Sequence, residues 1–319
     1  MRRSSLLVVL GVSVLAGPVG AQGFLIESGE RVLILGDSIT HDGTYVSIFE
    51  AYLYARFPRQ RFDVIGVGLS SETASGLSET THPFPRPDVH TRLDSALAKT
   101  SPQVVIACYG MNDGIYHPQS PEHMAAYQRG IIQLIDKSQA AGARLVVVLT
   151  PPPFDPTGKE LAPAGQPDYG YERPYEEYDD VLADYARWIV TIERDGVVTG
   201  DVHTALTEHL ATERRSDPGY KVSGDGVHPN GRGHMIIAAT LIRALGGSSI
   251  GTTAEAFEKL RSNPYYQLVD ERRTIRSDAW RTHIGHRRPD VPVGLPIEEA
   301  GIRSAELDRQ IRSKPALFP

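Results

Sequence analysis

The chain has 319 residues, 39 of them acidic and 33 basic, giving a formal net charge of −6 at pH 7. Such mild acidity excludes nucleic acid or an anionic membrane surface as the main partner. The lone cysteine, Cys108, excludes an internal disulfide, so a packed core has to carry the stability.

In chain order, residues 1–21 come first. Arg2 and Arg3 precede an apolar run, Leu6 to Ala16, and small residues end at Ala21. The run is too short to span a bilayer comfortably, and the pattern predicts a secretory signal peptide cut after Ala21. Residues 28–247 then read as one α/β domain. Its predicted strands are Val32–Leu35, Phe62–Gly66, Val104–Tyr109, Arg144–Leu149 and a shorter Gly196–Thr199. They are β-branched and continuously apolar, as strands covered on both faces of a parallel sheet are. Helical spacing is found in Tyr45–Phe57, Val89–Lys99, Glu122–Ala141, Tyr175–Arg194 and Met235–Leu245, with Pro102 and Gly142 as punctuation. The alternation predicts a three-layer α/β/α sandwich around a five-stranded, mostly parallel, doubly wound sheet.

Pro151–Pro174 leaves the carboxyl end of the fourth strand and is expected to overhang the crevice where such sheets bind ligands. Tyr169 and Tyr171 are therefore candidate pocket residues. Residues 248–319 form an extension, largely helical and partly irregular. Ala254–Leu260 reads as a short helix, Asn263–Trp280 as an amphipathic arm, and a polar helix begins at Ile297. Tyr265, Tyr266 and Trp280 are costly to expose, which predicts packing on the domain or on a second copy of the chain. Either the extension is a buttress or dimer arm, or it borders the site and presents Arg281 or His283 to substrate.

The chemistry concentrates at strand ends. Ser38 follows the first strand, Gly68 the second and Asn112 the third. A serine hydroxyl needs a base, and an imidazole becomes one when a carboxylate fixes its tautomer. Asp225 and His228, three residues apart around Gly226, supply both from one tight loop. The candidate catalytic set is Ser38, Asp225 and His228, with the N–H groups of Ser38 and Gly68 and the Asn112 amide as oxyanion donors. Asp37 and His41, flanking the nucleophile, are further pocket candidates; Asp37 could equally organise the turn as a cap. Cys108, inside an apolar strand, reads as a small core residue. His41 and His234 show no ligand spacing for a metal.

These blocks resemble the SGNH hydrolase superfamily of GDSL-like esterases and acylhydrolases. The nucleophile block is Gly36-Asp37-Ser38, and the glycine block centres on Gly68. Gly110-Met111-Asn112-Asp113 and Asp225-Gly226-Val227-His228 complete the set in the family's order. The glycine block departs from the usual pattern: Gly66 replaces an expected asparagine, and Ser71 replaces a frequent glycine. The resemblance implies a flavodoxin-like fold, an acyl-enzyme mechanism, and neither metal nor organic cofactor. The expected function is a secreted serine esterase cleaving short-chain carboxylic esters, including acetyl groups on carbohydrates. The expected partner is a small-molecule or polysaccharide ester, with no nucleic acid and no stable membrane insertion after signal cleavage. Alternatives are an O-acyltransferase using the same residues, or a non-catalytic carbohydrate-binding module.

Overall fold

The computed structural model describes residues 23–157, 159–315 and 318. The expected signal peptide at residues 1–21 lies outside them. Five strands, β1 (Arg31–Gly36), β2 (Asp63–Gly66), β3 (Val104–Cys108), β4 (Leu145–Leu149) and β5 (Val197–Gly200), pair in parallel in the order β2-β1-β3-β4-β5. This is the flavodoxin-like order, and it reverses direction between β1 and β3. The register sets Val32 beside Val64 on one side and beside Val104 on the other. The central strands are sealed, with Val32 to Leu35 and Val104 to Ala107 all at 0% exposure.

Right-handed crossovers place α3 (Leu93–Thr100), α4 (Pro121–Ala140) and α5 (Tyr178–Ile189) on one face. On the other lie α2 (Thr44–Arg56) and α7 (Gly231–Ala244), with α6 (Val202–Glu213) packed on α7. The sheet, strand identities and layers agree with expectation; three local features do not. The expected helix Val89–Lys99 is divided into a short 3-10 turn, Val89–Thr91, and α3, because Arg92 leaves helical geometry at φ −124°. Its side chain is drawn inward to Glu72 and to the Val67 carbonyl. The helix expected over Tyr175–Arg194 starts only at Tyr178, since the Tyr175 N–H is engaged by the Tyr116 carbonyl. Helix α6 was not anticipated. Its buried Val202, Leu206 and Leu210 recur every four residues and Asp201 caps it, so the signal was present.

The extension forms α8 (Ala254–Arg261), α9 (Pro264–Ile284) and α10 (Ile297–Ser313). Helix α9 packs on α2 and along β2, the edge strand, and α10 packs on α9. Tyr265 is buried and donates to the Ala51 carbonyl at 2.6 Å. Arg272 pairs with buried Glu50 at 2.8 Å, and Arg276 pairs with Asp63 beside the β2 edge. Covering an edge with charged side chains also blocks its pairing with another strand. No helix among the described residues is long and apolar enough to cross a membrane.

Candidate active site

Strand β1 ends at Gly36, and the chain turns at once into the short helix α1 (Ser38–Asp42). Asp37 is the cap of that turn: it is buried and its carboxylate accepts the Ile39 N–H at 2.9 Å. Ser38 is thereby presented at the carboxyl end of the sheet with its own N–H leading the helix. On the facing loop, Ser223 and Pro229 form an antiparallel bridge that closes around Asp225 and His228. Gly226 sits at φ +84°, and a Cβ there would fall 2.6 Å from the Asp155 carbonyl oxygen. Only glycine meets both demands.

The loop brings the base to the nucleophile. His228 Nε2 lies 2.8 Å from Ser38 Oγ, and His228 Nδ1 lies 2.6 Å from Asp225 Oδ2. The other carboxylate oxygen, Oδ1, accepts the backbone N–H groups of Val227 and His228 and the Ser223 hydroxyl. Partial burial alone would raise the Asp225 pKa, but the ring and backbone donors of His228 and the Val227 N–H outweigh it and hold the group far below its ordinary range. For His228, burial opposes charging, yet the hydrogen bond and charge of Asp225 prevail and lift the imidazole above its ordinary value.

The glycine block is held from behind. Gly68 lies so close to α1 that a Cβ would meet the Thr40 and His41 backbone at 2.4 Å. Its carbonyl accepts Arg281 Nε at 2.9 Å, and Val67 O accepts from Arg92. The Gly68 N–H has no partner among the described residues. Asn112 is oriented by two bonds: its Oδ1 accepts the Tyr116 hydroxyl and its Nδ2 donates to the Glu72 carbonyl. One amide hydrogen remains for the cavity, which Asn112 lines together with Ser38. Below lies a buried polar network. Arg92 and Glu72 pair at 2.6 Å, the Tyr109 hydroxyl donates to Glu72, and Asp113 accepts from Ala74 and Ser75.

Ser38, Asn112, His228 and Tyr171 border one cavity of about 260 Å³. Tyr171 also donates to Asp225 Oδ2 at 2.9 Å, so this loop residue touches the acid as well as the cavity. Tyr169 lines an adjoining space of about 420 Å³. Two pocket candidates lie behind the Ser38 cavity and not on its wall. Asp37 does not line the Ser38 cavity; its burial beneath the turn pushes its pKa up to about 7. Neither does His41, whose Nδ1 accepts the Ser70 N–H at 3.1 Å and so fixes the glycine loop. Burial and the Arg281 charge lower the His41 pKa to about 4, keeping it an acceptor. Arg281 grips the Gly68 carbonyl from behind rather than facing the cavity, and His283 is exposed away from it.

The family model for GDSL-like lipases and acylhydrolases matches residues 34–236. The chain belongs to this GDSL-like lipase/acylhydrolase family. No curated protein matches its sequence. Among solved structures it is similar to a gut microbial diltiazem-metabolizing enzyme, with TM-score 0.54 and 21% identity over 71% of this chain and 49% of that one. The chain thus spans about half the length of that enzyme. It is also similar to a carbohydrate acetylesterase family member from Sinorhizobium meliloti (TM-score 0.46, 15% identity, 68% of this chain and 99% of that one). A psychrotrophic esterase from Pseudoalteromonas sp. gives TM-score 0.42 and 18% identity, over 68% and 96% of the two chains. At 21% identity the likeness to the diltiazem-metabolizing enzyme is one of fold.

In this GDSL-like protein, sequence reasoning missed several residues that border the Ser38 cavity: Ser71, His82, Arg86, Tyr116 and Arg288. Arg86 is buried and bound by Glu79 through two hydrogen bonds, at 2.5 and 2.6 Å. Ser71 holds φ +68°, a left-handed conformation that favours glycine, which accounts for the family's frequent glycine there. Arg281 and Arg288 come from beyond the matched residues, so a family motif could not have flagged them.

Proposed function

We propose that the chain is a serine esterase that cleaves short-chain carboxylic esters through an acyl-enzyme, with Ser38, His228 and Asp225 as its triad. One observation carries this reading: the unbroken path from Ser38 Oγ through His228 to Asp225, at 2.8 and 2.6 Å, opening on a cavity shared with Asn112. Ser38 Oγ attacks the acyl carbonyl while His228 Nε2 takes its proton. Asp225 holds the tautomer and stabilises the imidazolium. The Ser38 and Gly68 N–H groups and the Asn112 amide receive the oxyanion. His228 then protonates the departing alcohol, and water attacks the acyl-serine by the same route in reverse. Asp37 serves by fixing the turn, not by touching substrate.

A cavity of about 260 Å³ suits a short acyl group, and the adjoining aromatic and polar space suits a sugar alcohol. In this reading residues 28–247 carry the reaction and 248–319 brace it. The basic-apolar-small pattern of residues 1–21 supports export to the periplasm or exterior.

Hydrolysis of p-nitrophenyl esters of rising chain length by the full chain and by Ser38→Ala tests the proposal. Acetate is expected to be the best substrate, and the substitution should lower kcat on the order of 10⁶-fold. Activity that survives in Ser38→Ala refutes the nucleophile. Product analysis with sugar acceptors present separates hydrolysis from acyl transfer.

A further inference from the structure

Arg86 and Arg288 are the arginines bordering the Ser38 cavity, and the mechanism leaves both unused. Arg288 stands on the irregular segment 285–296 between α9 and α10, and this segment is not free to drift. Gly294 donates its N–H to Thr282 Oγ1 at 2.8 Å and packs so tightly on α9 that a Cβ would meet the Asp278 backbone at 2.3 Å. Arg288 borders both the Ser38 cavity and the adjoining one. Its Cζ lies 5.3 Å from the centre of the Phe84 ring.

The other charged groups lining the Ser38 cavity have partners. Arg86 is neutralised by Glu79, and His228 is bound to Asp225. Among the described residues, the Arg288 guanidinium has as its hydrogen-bond partner its neighbour's carbonyl, Pro289 O, at 2.7 Å. No carboxylate oxygen among the described residues lies within 4.0 Å of it, although Asp168 and Glu172 line the adjoining cavity. Its Nε is buried, with no hydrogen-bond partner among the described residues. A buried donor left without an acceptor is costly, and a planar guanidinium is best satisfied by a planar carboxylate.

We propose that Arg288 recognises a carboxylate on the ester substrate, and that the substrate class is an O-acetylated acidic sugar, a uronate unit. This rests on the esterase reading. The acetyl group enters the smaller cavity at Ser38, and the uronate ring spans into the larger one past Arg288. A single unpaired guanidinium matches a single negative charge, and the aromatic wall of Phe84, Tyr169 and Tyr171 provides apolar surface for the sugar face.

The test compares the full chain with Arg288→Gln and Arg288→Lys on two matched esters, a mono-O-acetylated methyl glucuronoside and a mono-O-acetylated methyl glucoside. The ratio of kcat/KM for the acidic over the neutral ester should exceed one in the unmodified chain. It should fall roughly tenfold to hundredfold in Arg288→Gln, through KM, and recover in part in Arg288→Lys. An unchanged ratio in Arg288→Gln, or no initial preference for the acidic ester, overturns the inference. A sulfated acetyl glucoside handled as well as the glucuronoside, with the same dependence on Arg288, overturns the carboxylate assignment. A separate readout survives failure of the esterase reading: calorimetric binding of methyl glucuronoside to Ser38→Ala. Binding that disappears when Arg288→Gln is added supports the inference without turnover, and absence of binding refutes it.

Discussion

Across β1 and β3, Val32 to Leu35 meet Val104 to Ala107 with no exposed surface, whereas α9 adds four arginine contacts to the apolar burial of Tyr265, Tyr266 and Val269. Arg272 meets Glu50, Arg273 meets Ser47, Arg276 meets Asp63, and Arg281 meets the Gly68 carbonyl. Apolar burial in the sheet is non-directional and tolerates small shifts. Each arginine contact instead fixes one helix position against one partner atom. The arm is therefore placed with the specificity of a polar interface. Glu50 left without Arg272 is a buried carboxyl without its ion-pair partner, whereas Asp63 keeps Arg31 and Ser47 keeps Asp270.

The largest expected effect follows from removing the arm. Ending the chain after Gly247 removes Arg272 from Glu50, bares the apolar surface that Tyr265, Tyr266 and Val269 cover, and uncovers the β2 edge. Each large apolar side chain whose burial is lost costs about 1.5–3 kcal/mol, so losing several removes a large share of a domain's stability. Thermal unfolding should show a midpoint lowered by roughly 10 °C or more, or no cooperative transition. A shortened chain that melts with the full one would reduce the arm to an accessory.

A finer probe separates bracing from positioning. Arg281→Met keeps the apolar stem but removes the donor to the Gly68 carbonyl, whose loop carries a proposed oxyanion N–H. Losing a charged hydrogen bond of about 1.5–3 kcal/mol should lower kcat by roughly tenfold while leaving KM nearly unchanged. Arg281→Lys should restore part of kcat. Equal loss in Arg281→Met and Arg281→Lys, tracking the melting temperature alone, would make Arg281 purely structural.

The two regions also differ in how far their sequences could be read. Continuous β-branched runs ending two to four residues before Ser38, Gly68 and Asn112 made the sheet and the end that carries the site legible, because burial on both faces leaves no other pattern. The extension's helices were also visible, but not how they dock. An arginine facing a buried glutamate has the same local sequence as one facing water. Tyr265 and Tyr266 pointed to packing without naming the surface. Near the site, adjacency to Ser38 did not reveal that Asp37 and His41 turn inward, toward the Ile39 and Ser70 N–H groups. Nor did any spacing connect Arg288 with Ser38, since that contact depends on Gly294 seating the segment on α9.

The smallest effect concerns titration of the triad, which Arg281 does not bond. Esterase turnover requires neutral His228 as the base, so kcat/KM should rise with pH through the His228 pKa. Asp225 lifts that pKa, which places the acidic limb above the ordinary imidazole value of about 6.5. Asp225 itself stays ionised throughout, so the limb should follow a single ionisation. Tyr171→Phe removes the hydroxyl that donates to Asp225 Oδ2 and leaves that oxygen more negative toward the imidazolium. The limb should move upward by less than about one pH unit, with only a few-fold change in kcat. Arg281→Met should leave its midpoint in place, because Arg281 bonds the opposite wall. If Arg281→Met moves the limb as far as Tyr171→Phe does, arm and triad are electrostatically joined, and the division between a polar brace and a self-contained reacting centre fails.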